Sequence, residues 1–153
     1  MKHIPEEQGL GGFIRDMEGE FPGVLGELEA EGLKRQIPAV PRETARFLST
    51  LLSIKKPGSI LEIGTAEGFS ACLMSQFLKP GGKITTIDRY DLMIEQAKTN
   101  FRRMGITDAV ELLEGDAAEI LPVLSGPYDV IFLDAAKAQY SRFLPDILRL
   151  LAA

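Results

Sequence analysis

The chain has 153 residues, 17 Lys and Arg against 22 Asp and Glu, and one cysteine. That length suits a single domain burying roughly two thirds of its unfolded surface, and 45% apolar with 25% charged residues excludes disordered and fibrous classes. A net charge of -5 argues against broad nucleic-acid binding, the lone Cys72 excludes an intrachain disulfide or multi-cysteine metal site, and apolar runs such as VIFL at Val130 to Leu133 are too short to span a bilayer.

Residues 1–12 carry Pro5, three glycines and little apolar content, which predicts a loose terminus, and His3, the only histidine, has no role there. No continuous apolar segment marks a secretory signal, so the protein is expected to be soluble, cytoplasmic and free of membrane partners. From Phe13 to Leu33 apolar residues fall near helical spacing, interrupted by Pro22. Pro38 and Pro41 bracket Ala39 and Val40 in an extended link. Arg42 to Ile54 then places Ala45, Leu48, Leu51 and Leu52 on one helical face, closed by KKPGS. Lys34, Arg35, Arg42, Arg46, Lys55 and Lys56 are read as a solvated face rather than a basic patch. Residues 1–56 thus form an N-terminal helical segment and 57–153 the core of one domain.

The core alternates strand and helix signals. Strands are predicted over Ile60 to Ile63, Lys83 to Asp88, Ala109 to Glu114 and Tyr128 to Asp134, three of them nearly continuous aliphatic runs as in strands buried on both faces. Helices are predicted over Gly68 to Leu78, Asp91 to Met104, Ala117 to Leu124 and Tyr140 to Leu151, with Cys72 a small buried apolar residue on the first. Repeated right-handed crossovers imply an α/β fold with a parallel sheet in the order 3-2-1-4, strands 1 and 4 flanking the switch point where ligands bind.

Three features converge on the carboxyl ends of those strands. In the turn Gly64-Thr65-Ala66-Glu67-Gly68, Gly64 permits a tight bend and Gly68 lets the next helix start close to the strand. Asp88 ends the second strand, where an acid can accept both hydroxyls of a ribose. Gly115-Asp116-Ala117 follows the third strand, placed to border an adenine ring. With Glu62 and Asp134, each strand carries an acid beside its carboxyl end, which describes a nucleoside crevice. A dinucleotide fingerprint starting at Gly64 needs glycine at position 66 and finds Ala66. An amino-acid tail suits the turn better, its ammonium meeting Glu62 or a carbonyl and its carboxylate meeting Ser70.

LEIGTAEGFSA, TTIDRY, LEGDAAEILP and YDVIFLDAAKAQY resemble the successive motifs of the cation-dependent O-methyltransferase family, which includes catechol and caffeoyl-coenzyme A O-methyltransferases and bacterial tRNA 5-hydroxyuridine methyltransferases. RQIPAVPRETARFLSTLLSIKKP resembles the substrate-side helix of the bacterial members. The resemblance implies a Rossmann-like, S-adenosylmethionine-dependent enzyme acting on a small hydroxylated aromatic or a tRNA. It implies that Gly64, Thr65, Phe69 and Ser70 hold the methionine end above Glu62, that Asp88 takes the ribose, that Asp116 and Ala117 border the adenine, that Val40 closes over the cofactor, and that Gly68 and Arg89 also belong to the cofactor site. It further implies Asp134 as a ligand of a divalent cation, magnesium by preference, and as a cofactor neighbour, and Lys137 as the catalytic base in a DxxKxxY pattern completed by Tyr140.

The family's fold carries three more strands and an Asp-Asn pair supplying other metal ligands, and neither follows LLAA here. The expectation is therefore a fold missing its C-terminal strands, a fourth strand left as an edge, and pairing of two copies through that strand and the last helix. A cofactor-binding fragment without activity is the second reading, and a nicotinamide dehydrogenase the third.

Overall fold

A computed structural model describes residues 19–37 and 40–152. The terminal stretch with His3 and Phe13 to Met17, and Pro38 and Ala39 of the link, lie outside the described residues.

Pro22 starts a helix rather than breaking one. It sits extended at φ −77° and ψ 151° before α1, Gly23–Lys34, because its fixed φ and missing N–H cost nothing at a helix entrance. Pro41 does the same for α2, Arg42–Lys55, which ends at Lys56 in the left-handed region, φ 47°. Ala45, Leu48 and Leu52 are buried as expected, but Leu51 is 47% exposed. It turns away with Phe47 and Ile54 onto an apolar outer stripe.

The sheet has four parallel strands in the order β3-β2-β1-β4, with β1 at Ser59–Ile63, β2 at Lys83–Asp88, β3 at Val110–Glu114 and β4 at Val130–Leu133. Ile60 lies beside Ile84 and Val130, and Ile63 beside Ile87 and Leu133. Side chains alternate between faces. Ile60 and Ile84 join Leu25, Leu28, Leu52, Met74 and Phe101 in one core, while Leu61, Ile63 and Ile87 join Leu121, Tyr128, Phe143 and Leu150 in the other.

The crossover helices are α3, Phe69–Ser75, α4, Asp91–Met104, and α5, Ala117–Ile120, followed by α6, Tyr140–Leu150. Two are shorter than their sequence signals. The predicted helix to Leu124 gives way to a 3-10 turn at Leu121–Val123, where Pro122 interrupts the α-helical bonding. The one predicted to Leu78 ends in tighter bonds, Gln76 N–H to Leu73 O and Phe77 N–H to Met74 O.

Strand β4 is an edge, but its entrance is paired. Tyr128 N–H donates to Leu150 O at 2.8 Å and Ala152 N–H donates to Tyr128 O at 2.9 Å, so the backbone leaving α6 runs parallel to Tyr128. Ion pairs fasten α1 to its neighbours: Arg42 grips Glu29 with two hydrogen bonds of 2.8 Å, and Arg103 of α4 reaches Glu27 and Glu31. Arg46 lies 4.2 Å from the Phe21 ring centre. Of the basic residues of this segment, Arg35, Arg42 and Arg46 have partners within the chain. No described helix is long and apolar enough to cross a membrane.

Candidate functional site

A cavity of about 650 Å³ opens at the carboxyl ends of all four strands. Its floor is Ile63–Gly64 after β1, Ile87–Tyr90 after β2, Gly115–Ala117 after β3 and Leu133–Ala136 after β4. Leu28, Gly32, Gln36 and Ile37 from the α1 end, with Val40, Pro41 and Thr44, form the facing wall.

The turn between β1 and α3 is shaped by left-handed backbone. Gly64 has φ 102°, Ala66 45° and Gly68 80°. A Cβ on Gly64 would lie 2.6 Å from the Asp134 carbonyl oxygen, so only glycine lets β1 and the β4 exit approach so closely. Gly68 meets Phe101 instead, at 2.5 Å from a virtual Cβ. Gly68 seats the helix and does not line the cavity.

Asp88 organises the rim. Its Oδ2 accepts the Ala66 N–H at 2.8 Å, while Oδ1 accepts those of Arg89 at 2.7 Å and Tyr90 at 3.0 Å. Ala66 is tolerated in a left-handed conformation because this carboxylate holds its amide. Across the mouth Arg89 Nη1 donates to Asp116 Oδ2 at 2.9 Å, and Asp116 Oδ1 caps α5 at Ala118 N–H. That backbone bond, aided by Arg89, holds the Asp116 carboxyl below its usual range.

Beneath the turn lies a buried hydroxyl–carboxylate cluster. Ser70 Oγ donates to Glu62 Oε1 at 2.5 Å and Thr86 Oγ1 donates to Oε2 at 2.6 Å, with Thr65 Oγ1 a further 2.6 Å from Thr86 Oγ1. Glu62 is fully buried, and loss of water pushes its pKa up to about 7 against the lowering effect of the two hydroxyls.

Of the residues singled out in the sequence, Val40, Gly64, Thr65, Phe69, Ser70, Asp88, Arg89, Asp116, Ala117 and Asp134 line the one cavity. Glu62 lies under the wall, its oxygens turned to Ser70 and Thr86. Lys137 stands exposed on a 3-10 turn, Lys137–Gln139, while Ala135, Ala136 and Gln139 occupy the wall nearby. Tyr140 donates to Leu133 O at 3.2 Å and braces that exit. Cys72 is wholly buried, its thiol pushed up to about 12 by burial and by Glu62.

Glu67 escaped sequence reading. It is 7% exposed on the cavity turn, and its carboxylate meets Arg35 Nη2 at 3.1 Å. Nothing local signals this, since Arg35 lies 32 residues away.

No group of three or more His, Cys, Asp or Glu side chains that could hold a metal ion occurs among the described residues. Asp134 lies on the cavity rim, its carboxyl raised by loss of water.

A family profile described as O-methyltransferase matches residues 17–153. A catechol O-methyltransferase of Mycobacterium tuberculosis is 32% identical over 98% of this chain and 70% of its own length. Another, from Niastella koreensis, is 34% identical over 73% of this chain and 52% of its own, so the chain spans only about half of that relative. The O-methyltransferase TomG of Streptomyces achromogenes, involved in tomaymycin synthesis and solved with S-adenosylmethionine, superposes with a TM-score of 0.83 at 25% identity, over 98% of this chain and 71% of its own.

Proposed function

Because the chain belongs to the O-methyltransferase family, we propose that it binds S-adenosylmethionine in this cavity and directs its methyl group to a hydroxyl of a small aromatic acceptor. The carrying observation is that the glycine turn, Asp88 and Asp116 line one continuous cavity at the strands' carboxyl ends. The sulfonium cofactor supplies an electrophilic methyl group when bound. Asp88 offers acceptors to the ribose, Asp116 and Ala117 border the adenine, Thr65, Phe69 and Ser70 surround the methionine end, and Val40 covers it. Asp88 and Asp134 also give the cavity wall negative charge suited to a cationic ligand, while Arg89 offsets Asp116.

Ile37, Pro41, Ala135 and Ala136 make the remaining wall largely apolar, which favours a flat aromatic acceptor over tRNA. Transfer from a sulfonium needs mainly a positioned oxygen in line with the methyl group. The exposed Leu144, Leu148 and Leu151, at 50%, 64% and 43%, support pairing of two copies along α6. Cofactor binding without transfer is a second reading, with no group of three metal-ligating His, Cys, Asp or Glu side chains among the described residues.

Titration of the chain with S-adenosylmethionine, S-adenosylhomocysteine and NAD tests the proposal, followed by methyl transfer to catechol. Binding of both sulfur nucleosides over NAD, with turnover, is the expected result. Binding without turnover selects the second reading, and preference for NAD overturns both.

A further inference from the structure

We infer that the buried carboxyl of Glu62 sets the hydrogen-bonding sense of Ser70 on the cavity wall, so that a ligand carboxylate seated at the turn draws one proton from solvent onto Glu62. This rests on the cofactor reading above and specifies how the amino-acid tail is received.

A hydroxyl has one proton to give. Ser70 lines the cavity, yet its proton is directed inward to Glu62 Oε1 at 2.5 Å. Thr86 gives its proton to Oε2, so in the 2.6 Å contact between the two threonines Thr65, the other cavity hydroxyl, is the donor. With Glu62 ionised, neither wall hydroxyl has a proton left for the cavity, whose lining also carries the carboxylates of Asp88 and Asp134. That surface suits an ammonium and repels a carboxylate. A proton on Glu62 reverses one bond: Glu62 donates to Ser70 Oγ, and the Ser70 hydrogen turns to the ligand. No covalent bond other than O–H changes, and the proton comes from solvent.

The surroundings favour such uptake. Ser70 and Cys72 face Glu62 from α3, Thr86 from β2 with Asp88 at its end, and Asp134 from the end of β4. The two acids oppose a charge on Glu62, and the raised Cys72 thiol stays neutral. Burial brings Glu62 to about 7, so both states are within reach near neutrality.

The test is calorimetry of S-adenosylhomocysteine binding in buffers of different ionisation enthalpy, from pH 6 to 8, with Ser70→Ala and Glu62→Gln. The chain as it stands should take up a fraction of a proton per ligand and lose about tenfold in affinity across that range. Ser70→Ala should abolish the linkage although Glu62 remains, and Glu62→Gln should bind independently of pH. Proton release, a flat wild-type profile, or linkage surviving in Ser70→Ala would each overturn the inference. Carbon-13 NMR of the Glu62 carboxyl decides without ligand: it should titrate near neutrality and shift higher in Ser70→Ala, which removes a bond favouring the charged form. A silent carboxyl, or one unmoved by the substitution, overturns the relation. If the nucleoside fails to bind at all, the proposed function falls while this titration still gives its answer.

Discussion

The Glu67 carboxylate and the Arg35 guanidinium meet at 3.1 Å, joining the cavity turn to the end of α1. Glu67 is held from the other side as well, its carbonyl accepting Asn100 Nδ2–H at 2.8 Å from α4. Burial raises the Glu67 pKa and Arg35 opposes that rise. Replacing Arg35 by Ala leaves a carboxylate with 8% side-chain exposure without its nearest cation, and should cost about 1–3 kcal/mol. In a double-mutant cycle with Glu67→Gln, urea denaturation should return a coupling of at least about 0.5 kcal/mol. Strict additivity would mean that the contact does not join the two elements.

Gly64→Ala should be among the most damaging single changes in the core. The new methyl would enter a left-handed residue and press on the Asp134 backbone, which cannot rotate aside as a side chain could. Destabilisation of roughly 3 kcal/mol or more is expected, from strain and steric overlap together. Thermal denaturation, with S-adenosylhomocysteine titration of whatever remains folded, checks it.

Stability should fall between mildly acidic and neutral pH through Glu62. Its carboxyl moves from an ordinary 4.5 to about 7 on folding, so between those values the folded chain holds more protons than the unfolded one. Under linkage, stability is then lost as pH rises through this window, and the loss is complete above it. At about 1.4 kcal/mol per pKa unit the total is roughly 3 kcal/mol. Glu62→Gln should flatten the profile of melting temperature from pH 5 to 8; a variant retaining the wild-type slope would assign it elsewhere.

Asp88→Asn keeps the shape but replaces one acceptor oxygen by a donor. One side of the carboxylate serves Ala66 and the other serves Arg89 and Tyr90, so at least one amide loses its partner at a cost of about 1–3 kcal/mol. Nucleoside affinity should fall more than tenfold while the far-ultraviolet circular dichroism stays native. Unchanged affinity would remove Asp88 from the ribose site.

Millimolar magnesium should change neither the melting temperature nor S-adenosylhomocysteine affinity, because no three His, Cys, Asp or Glu side chains converge as a metal site among the described residues. A clear rise in either on adding the cation would show a ligand set that the described residues do not contain.

The strand order was legible because strand and helix signals alternate along the chain, with β1 and β2 buried on both faces through Ile60, Leu61, Ile63, Ile84 and Ile87. The cavity residues Gly64, Asp88 and Asp116 were legible because each sits at a fixed offset from a strand's end. Hydrogen-bond direction was not. Ser70 reads in sequence as a donor to a ligand, yet it gives its proton to Glu62, a preference fixed only when α3 packs over β1. Lys137 matches a spacing and stands exposed on its 3-10 turn, beside the wall residues Ala136 and Gln139. Helix ends failed where prolines or tighter bonding competed with periodicity, as at Pro122 and Gln76. The Arg35–Glu67 pair joins residues far apart in the chain, with no pattern to announce it.

The placement of β1 between β2 and β4 also orders events in time. Strands β1 and β2 are linked by one short helix and can pair early, whereas Asp129 must find Ser59 across a separation of 70 residues. Closing so long a loop is entropically slow. Since the crevice is bounded by β1 and β4, a refolding chain should pair β1 with β2 before β4 completes both sheet and cavity, and competence to bind a nucleoside should return late.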